Sequence, residues 1–166
     1  MKVVEHTKED LAWLAGFVDG EGSISIRKAS APSRIRTSHQ LFMSITNTNI
    51  ECLRYIHTKY GGSLYHHDKS IRTNQKASMR WVVRGWEAIR MIELIRPFLK
   101  IKQLQADIAL EYKKLMFTRY SVPRTESGFL KGRIMRLPDY IWEEREEKRQ
   151  DLLKANMRGV NANSYN

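Results

Sequence analysis

The chain has 166 residues, 42% of them hydrophobic and 10% aromatic, with 9 Gly and 4 Pro, a balance that excludes a disordered or low-complexity polymer and fits one compact domain. Lys and Arg number 29 against 18 Asp and Glu, and the net charge of +11 points to an anionic partner, with nucleic acid the first candidate. A single cysteine, Cys52, excludes an intramolecular disulfide and a zinc site built from several thiolates, and it fits a reducing compartment.

The polar, acidic stretch Met1–Asp10 lacks the apolar core of a signal peptide, and no hydrophobic run approaches the length of a membrane span, so a soluble intracellular protein is expected. Leu11–Val18 then has helical spacing. Ala12, Gly16 and Gly20 fall on one stripe of that helix, which leaves a flank bare enough for another helix to approach to near backbone contact. A glycine inside a helix costs roughly 0.5–1 kcal/mol relative to alanine, so two of them ask for a packing reason. Asp19 and Glu21 follow at the helix exit, where the dipole disfavours negative charge. A glycine-capped helix end with solvated acids accounts for part of this pattern, but not for the bare flank or for carboxylates placed beside a basic segment.

From Ser23 the apolar residues alternate. Ile24 and Ile26 oppose Ser25 and Arg27, and a Ser, Pro and Arg-rich loop follows over 29–37. A second strand carries Leu41, Met43 and Ile45 on one face with Gln40 and Ser44 on the other, an alternation broken by Phe42. Beyond Asn47 the spacing turns helical at Ile50, Leu53, Ile56 and His57, and it stops at Gly61-Gly62. Residues 64–71 and 79–84 then form a hairpin pair, with Trp81 and Val83 on one face and Arg80 and Arg84 on the other. Residues 23–84 hold eleven basic and two acidic residues, net +9, and an ordinary solvated sheet face would mix the signs more evenly. Carboxylates beside a phosphate-binding surface repel the ligand unless a divalent cation intervenes, which points to Mg²⁺ held by oxygen ligands.

The rest reads as helical. Residues 86–98 place Ile89, Ile92, Leu94 and Ile95, with Leu99 just beyond, around a buried stripe stopped by Pro97, and residues 101–120 continue it with Leu104, Ile108, Leu115 and Met116. Pro138 opens a last helix over 139–157, and the Asn-rich residues 158–166 read as a flexible tail.

Leu14-Ala15-Gly16-Phe17-Val18-Asp19-Gly20-Glu21-Gly22 resembles the signature of the LAGLIDADG homing endonucleases, with Glu21 where that family has its second acid. The order helix, two strands, helix, two strands, helices is similar to the family's αββαββα fold, an α+β class with an antiparallel four-stranded DNA-binding saddle. Pro97-Phe98-Leu99-Lys100-Ile101-Lys102 resembles a second family segment. The resemblance implies one endonuclease domain over residues 1–157. A single copy of the signature implies a C₂ homodimer joined through Ala12, Gly16 and Gly20.

The same resemblance implies a site-specific double-strand DNA endonuclease acting on a long, partly palindromic target. Glu21 would be the metal-binding catalytic carboxylate for Mg²⁺. Mn²⁺ would substitute, and Ca²⁺ would support binding without cleavage. Lys102 matches the family's active-site lysine, although taken by itself it is a solvated lysine at a helix start. Asn47 matches a polar catalytic position often held by the longer Gln, and Asp19 would support the helix end. The saddle would present Ser25, Arg27, Ser38, Gln40, Ser44, His66 and Arg80 to DNA, with Arg34, Arg36 and Arg72 from loops. For the third strand, either His66 with Asp68 or Tyr65 with His67 could face outward. An RNA maturase or a non-cleaving DNA-binding protein of the same fold is the alternative.

Overall fold

The computed structural model describes residues 6–29, 38–67, 77–117 and 138–157. Arg34, Arg36, Arg72 and the segment 158–166 lie outside them. Helix α1 (Lys8–Glu21) leads into strand β1 (Gly22–Ala29) and strand β2 (Ser38–Asn47). Helix α2 (Ile50–Tyr60) joins that hairpin to β3 (Ser63–His67) and β4 (Ser78–Arg84), and α3 (Gly85–Ile95), a 3₁₀ turn (Arg96–Phe98), α4 (Gln103–Phe117) and α5 (Asp139–Ala155) complete the fold. The strands form one antiparallel sheet in the order β1-β2-β4-β3, so the expected α+β saddle is present.

Period-two burial sets the two faces of this sheet. Ile24, Ile26, Leu41, Met43, Ile45, Met79, Trp81 and Val83 are all buried, and they carry the face that packs against the helices. Helix α1 contributes Leu11, Leu14, Ala15 and Val18 to the same core, the spacing of one helical stripe. Its first turn is fixed by a capping box in which the Asp10 amide donates to Thr7 Oγ1 at 3.2 Å and the Thr7 amide donates to Asp10 Oδ2 at 3.3 Å. At the far end of α2, Gly61 and Gly62 have φ of +74° and +85°. A side chain at Gly62 would meet Trp81 Nε1 at 2.8 Å, while that indole N–H donates to the Gly61 carbonyl at 2.7 Å. The helix stop and the seating of the largest core residue are therefore one feature.

Several expectations need correction. Leu94 and Leu104 are exposed, and the buried residues of α4 are Gln105, Ala106, Ala109 and Tyr112. Alanines beside a tyrosine bring α4 close to its neighbours, which a search for large aliphatic residues overlooks. His57 is also exposed, leaving Leu53 and Ile56 to anchor α2. The register settles β3: Tyr65 lies opposite Arg80, whereas His66 lies opposite Met79. His66 thus belongs to the helix-side register, and Tyr65 takes its place on the open face.

Helix α5 is docked along edge strand β1 by polar contacts. His39 Nε2 lies 2.7 Å from Glu146 Oε2, Lys28 Nζ reaches the same oxygen at 3.0 Å, and the Asn156 amide donates to the Ile24 carbonyl at 2.9 Å. Tyr112 Oη donates to the His39 carbonyl at 3.0 Å. Among the described residues no helix is long and apolar enough to cross a membrane.

Candidate functional site

Asp19 sits in the last turn of α1 and is buried. Its Oδ2 accepts from the amides of Lys100 and Ile101 at 2.7 and 3.1 Å, and its Oδ1 accepts from the Lys102 amide at 2.9 Å. Three successive N–H groups enclose the carboxylate. This answers the unfavourable dipole at the helix exit and ties the end of α1 to the start of α4. The Lys102 ammonium in turn donates to the Asp19 carbonyl. Asp19 is therefore a positioning residue, with its acceptor capacity committed to backbone.

Glu21, two residues on, is exposed and has no hydrogen-bond or ion-pair partner among the described residues. It borders an open depression of about 930 Å³ that Ser25, Arg27, Lys102, Arg149 and Asn156 also line. The structure thus brings Glu21 and Lys102 to one concavity at the foot of the sheet. Asn47 does not line it. The Asn47 Oδ1 accepts from the Asn49 amide at 2.8 Å, an Asx turn that closes β2 into α2, while register places Asn47 at the same end of the sheet, two residues past the Gly22–Ile45 pair. The part played by the C-terminal end of α5 in walling this depression was missed, since nothing local in its sequence records a partner more than a hundred residues away.

The donor set defines which metal the site suits. Among the described residues no three His, Cys, Asp or Glu side chains converge. Asp19 already accepts three backbone N–H groups, so of the residues lining the depression Glu21 is the one carboxylate with no partner among the described residues. That chemistry fits Mg²⁺, which is held through one or two carboxylates plus phosphate oxygens and keeps much of its water. It does not fit zinc.

The open face of the sheet is polar and positive. Arg27 and Gln40 are exposed and register with one another, and Ser38 stands opposite Ala29 near the strand ends. Ser44 is buried and accepts from Arg80 Nη2 at 2.9 Å. Burial and the neighbouring Arg27 charge lower the pKa of Arg80, and the buried Arg80 Nε and Ser25 Oγ have no hydrogen-bond partner among the described residues. The exposed Arg27 and Arg84 guanidinium groups on this face are suited to an oxygen-rich anion. Along helix α1, Ala12, Gly16 and Gly20 are all exposed, and a Cβ added to either glycine would meet nothing within 4 Å; Gly20 also borders the depression beside Glu21. Trp13 stacks on Phe17 at 5.6 Å and meets Tyr55 edge-on at the same distance.

A signature helix with this bare stripe, an anchored Asp19, a free Glu21 and a basic four-stranded face define a LAGLIDADG endonuclease, and the family model of that description matches residues 14–118. The chain belongs to the LAGLIDADG homing endonuclease family. It is 28% identical over 159 residues to DNA endonuclease I-CvuI of Chlorella vulgaris, covering 92% of this chain and 90% of that protein. Among solved structures, I-CvuI on a DNA target with Mg present and the DNA uncleaved superposes with a TM-score of 0.66 at 17% identity, over 93% of this chain and 86% of that one. The archaeal intron-encoded homing endonuclease I-Vdi141I complexed with DNA gives 0.64 at 18%, over 92% and 87%. I-SmaMI bound to cleaved DNA gives 0.61 at 15%, with 97% of this chain covering 48% of that one. The last match makes this chain similar to one half of a longer single polypeptide.

Proposed function

We propose that this chain cuts both strands of a long, partly palindromic duplex DNA as a C₂ homodimer, with Mg²⁺ as the divalent ion. The observation that carries the reading is Glu21, a carboxylate with no partner among the described residues, which shares a depression with Lys102 at the foot of a basic sheet and ends a helix with a bare glycine stripe. Packing two copies through Ala12, Gly16 and Gly20 is the reading that gives the stripe a reason and brings two Glu21 carboxylates toward one axis. The I-SmaMI match supports it, since one half of that chain corresponds to this whole chain.

In this mechanism Glu21 supplies the hard oxygen ligand in each copy. Mg²⁺ held there would activate water and stabilise the leaving oxygen of the phosphodiester. Lys102 sets a positive charge in the same depression, where negative charge grows on the phosphate during attack. Asn47 keeps its Oδ1 on the turn and offers its amide Nδ2 to solvent or phosphate. Asp19 holds Lys102 and Glu21 in fixed relation. Ser25, Arg27, Gln40, Ser44 and Arg80 meet the duplex in the major groove, and Ser38, Arg34, Arg36 and Arg72 extend the footprint. Mn²⁺ substitutes for Mg²⁺, and Ca²⁺ supports binding alone. Retention of both Glu21 and Lys102 favours a nuclease over a maturase acting on RNA or a non-cleaving binder. Intron encoding fits too, as two of the solved relatives are described as intron-encoded.

The test is purified chain with Mg²⁺ on a duplex library that includes the uninterrupted version of its own insertion site. A double-strand cut at that junction is expected. No cut in any member would overturn the nuclease reading.

A further inference from the structure

Phe42 breaks the polar alternation of β2, and burial does not explain it. Its register partners are Ser25 on β1 and Arg84 on β4, so the half-buried ring stands at the middle of the open face, away from the core. Guanidinium groups reach the ring from both flanking strands: Arg27 Cζ lies 4.9 Å from its centroid and Arg84 Cζ 5.7 Å. Arg84 also lies 5.3 Å from the Tyr65 centroid and donates to the Tyr65 hydroxyl. Cations over an aromatic face are favourable contacts, and with both guanidinium groups over it the ring is still only half-buried, so part of it is open to a ligand. Ser25 opposite and Ser44 two residues along are short, so they do not screen that part.

Apart from Val82, which is buried, the described neighbours of Phe42 on this face are polar or charged. The edges of the bases in the major groove offer hydrogen-bond donors and acceptors and one apolar substituent, the C5-methyl of thymine. We propose that Phe42 is a specificity-determining residue that packs on the 5-methyl group of a thymine in each half-site. Arg27 and Arg84 hold the ring upright between them and supply the charge that lets an apolar group approach DNA. The inference rests on the duplex-DNA reading above.

The experiment enriches a randomised duplex-DNA library on the full chain in Ca²⁺. Each thymine of the winning duplex is then replaced in turn by deoxyuridine, which removes the methyl group alone. One symmetry-related pair of thymines should respond, weakening binding about fourfold for each methyl removed, the effect of one buried methyl group. Phe42→Ser, checked for folding by circular dichroism, should bind the thymine and uracil duplexes equally. An enriched duplex in which no such swap changes affinity overturns the inference and leaves the DNA reading standing, as does a loss that persists unchanged in Phe42→Ser. If no duplex is enriched, the DNA reading falls and this inference with it.

Discussion

The Asp19 carboxylate and the Lys102 side chain form a closed exchange: Asp19 accepts the Lys102 amide at 2.9 Å, and the Lys102 ammonium returns to the Asp19 carbonyl. The two acids of the signature thus divide their work. Asp19 is buried against backbone amides, while Glu21 is exposed with no partner among the described residues.

That division predicts opposite phenotypes for the two carboxylates. Asp19→Ala strands three amides beside α4 and should cost at least about 2 kcal/mol of stability. Glu21→Gln, at an exposed position, should stay within about 0.5 kcal/mol of wild type. Urea unfolding measures both, and equal stability of the two variants would contradict the assignment of Asp19.

Lys102→Met should lower the single-turnover cleavage rate about 100-fold while leaving DNA affinity in Ca²⁺ within a few-fold of wild type. A proportionate loss of affinity and rate would make Lys102 a general phosphate contact.

Glycines on the two sides of α1 should behave differently. Gly16→Leu projects into open space in the single chain, so circular dichroism should show a folded protein and sedimentation equilibrium a monomer where wild type is a dimer. At Gly22 an added Cβ would meet the Val18 carbonyl oxygen at 2.6 Å and its Cα at 2.8 Å, so Gly22→Ala should cost about 1–3 kcal/mol. A dimeric Gly16→Leu variant would remove the stripe from the interface.

Acidification should loosen α5. Burial holds the His39 pKa below its ordinary value against the pull of Glu146, and the buried Nδ1, if protonated, has no acceptor for its N–H among the described residues. Because the unfolded chain binds that proton first, the His39 contribution is full above about pH 6.5 and is lost as pH falls below it. Burial raises the Glu146 pKa, but hydrogen bonds from His39, Gln150 and Lys28 outweigh it and hold the group at about 2, so its contribution persists until pH falls below the ordinary carboxylate value. Tm should drop between about pH 7.5 and about pH 5.5, and His39→Gln should flatten that slope. An equal slope in the variant would locate the titration elsewhere.

The sequence carried the fold where burial is periodic and chemically unambiguous. Ile24, Ile26, Leu41, Met43 and Ile45 define their strands, and Gly61-Gly62 marks a true helix stop. It left the phase of β3 open between His66 and Tyr65, because His66 and His67 have the same polarity and an alternation between identical residues sets no phase; the register selects Tyr65 for the open face. At the site, Glu21 and Lys102 were legible through the resemblance of their segments to the family's, since spacing alone leaves Lys102 a solvated lysine at a helix start. The enclosure of Asp19 by the Lys100–Lys102 amides and the clasp of His39 on Glu146 were not, because those partners are 81–83 and 107 residues apart and backbone N–H groups leave no mark in a sequence.

The central claim is tested most directly by one plasmid carrying the enriched target, incubated with Mg²⁺ and either wild type or Glu21→Gln. Wild type should linearise the plasmid, and Glu21→Gln should bind the same site in Ca²⁺ with unchanged affinity yet leave it intact in Mg²⁺. Linearisation by Glu21→Gln at the wild-type rate would contradict the account.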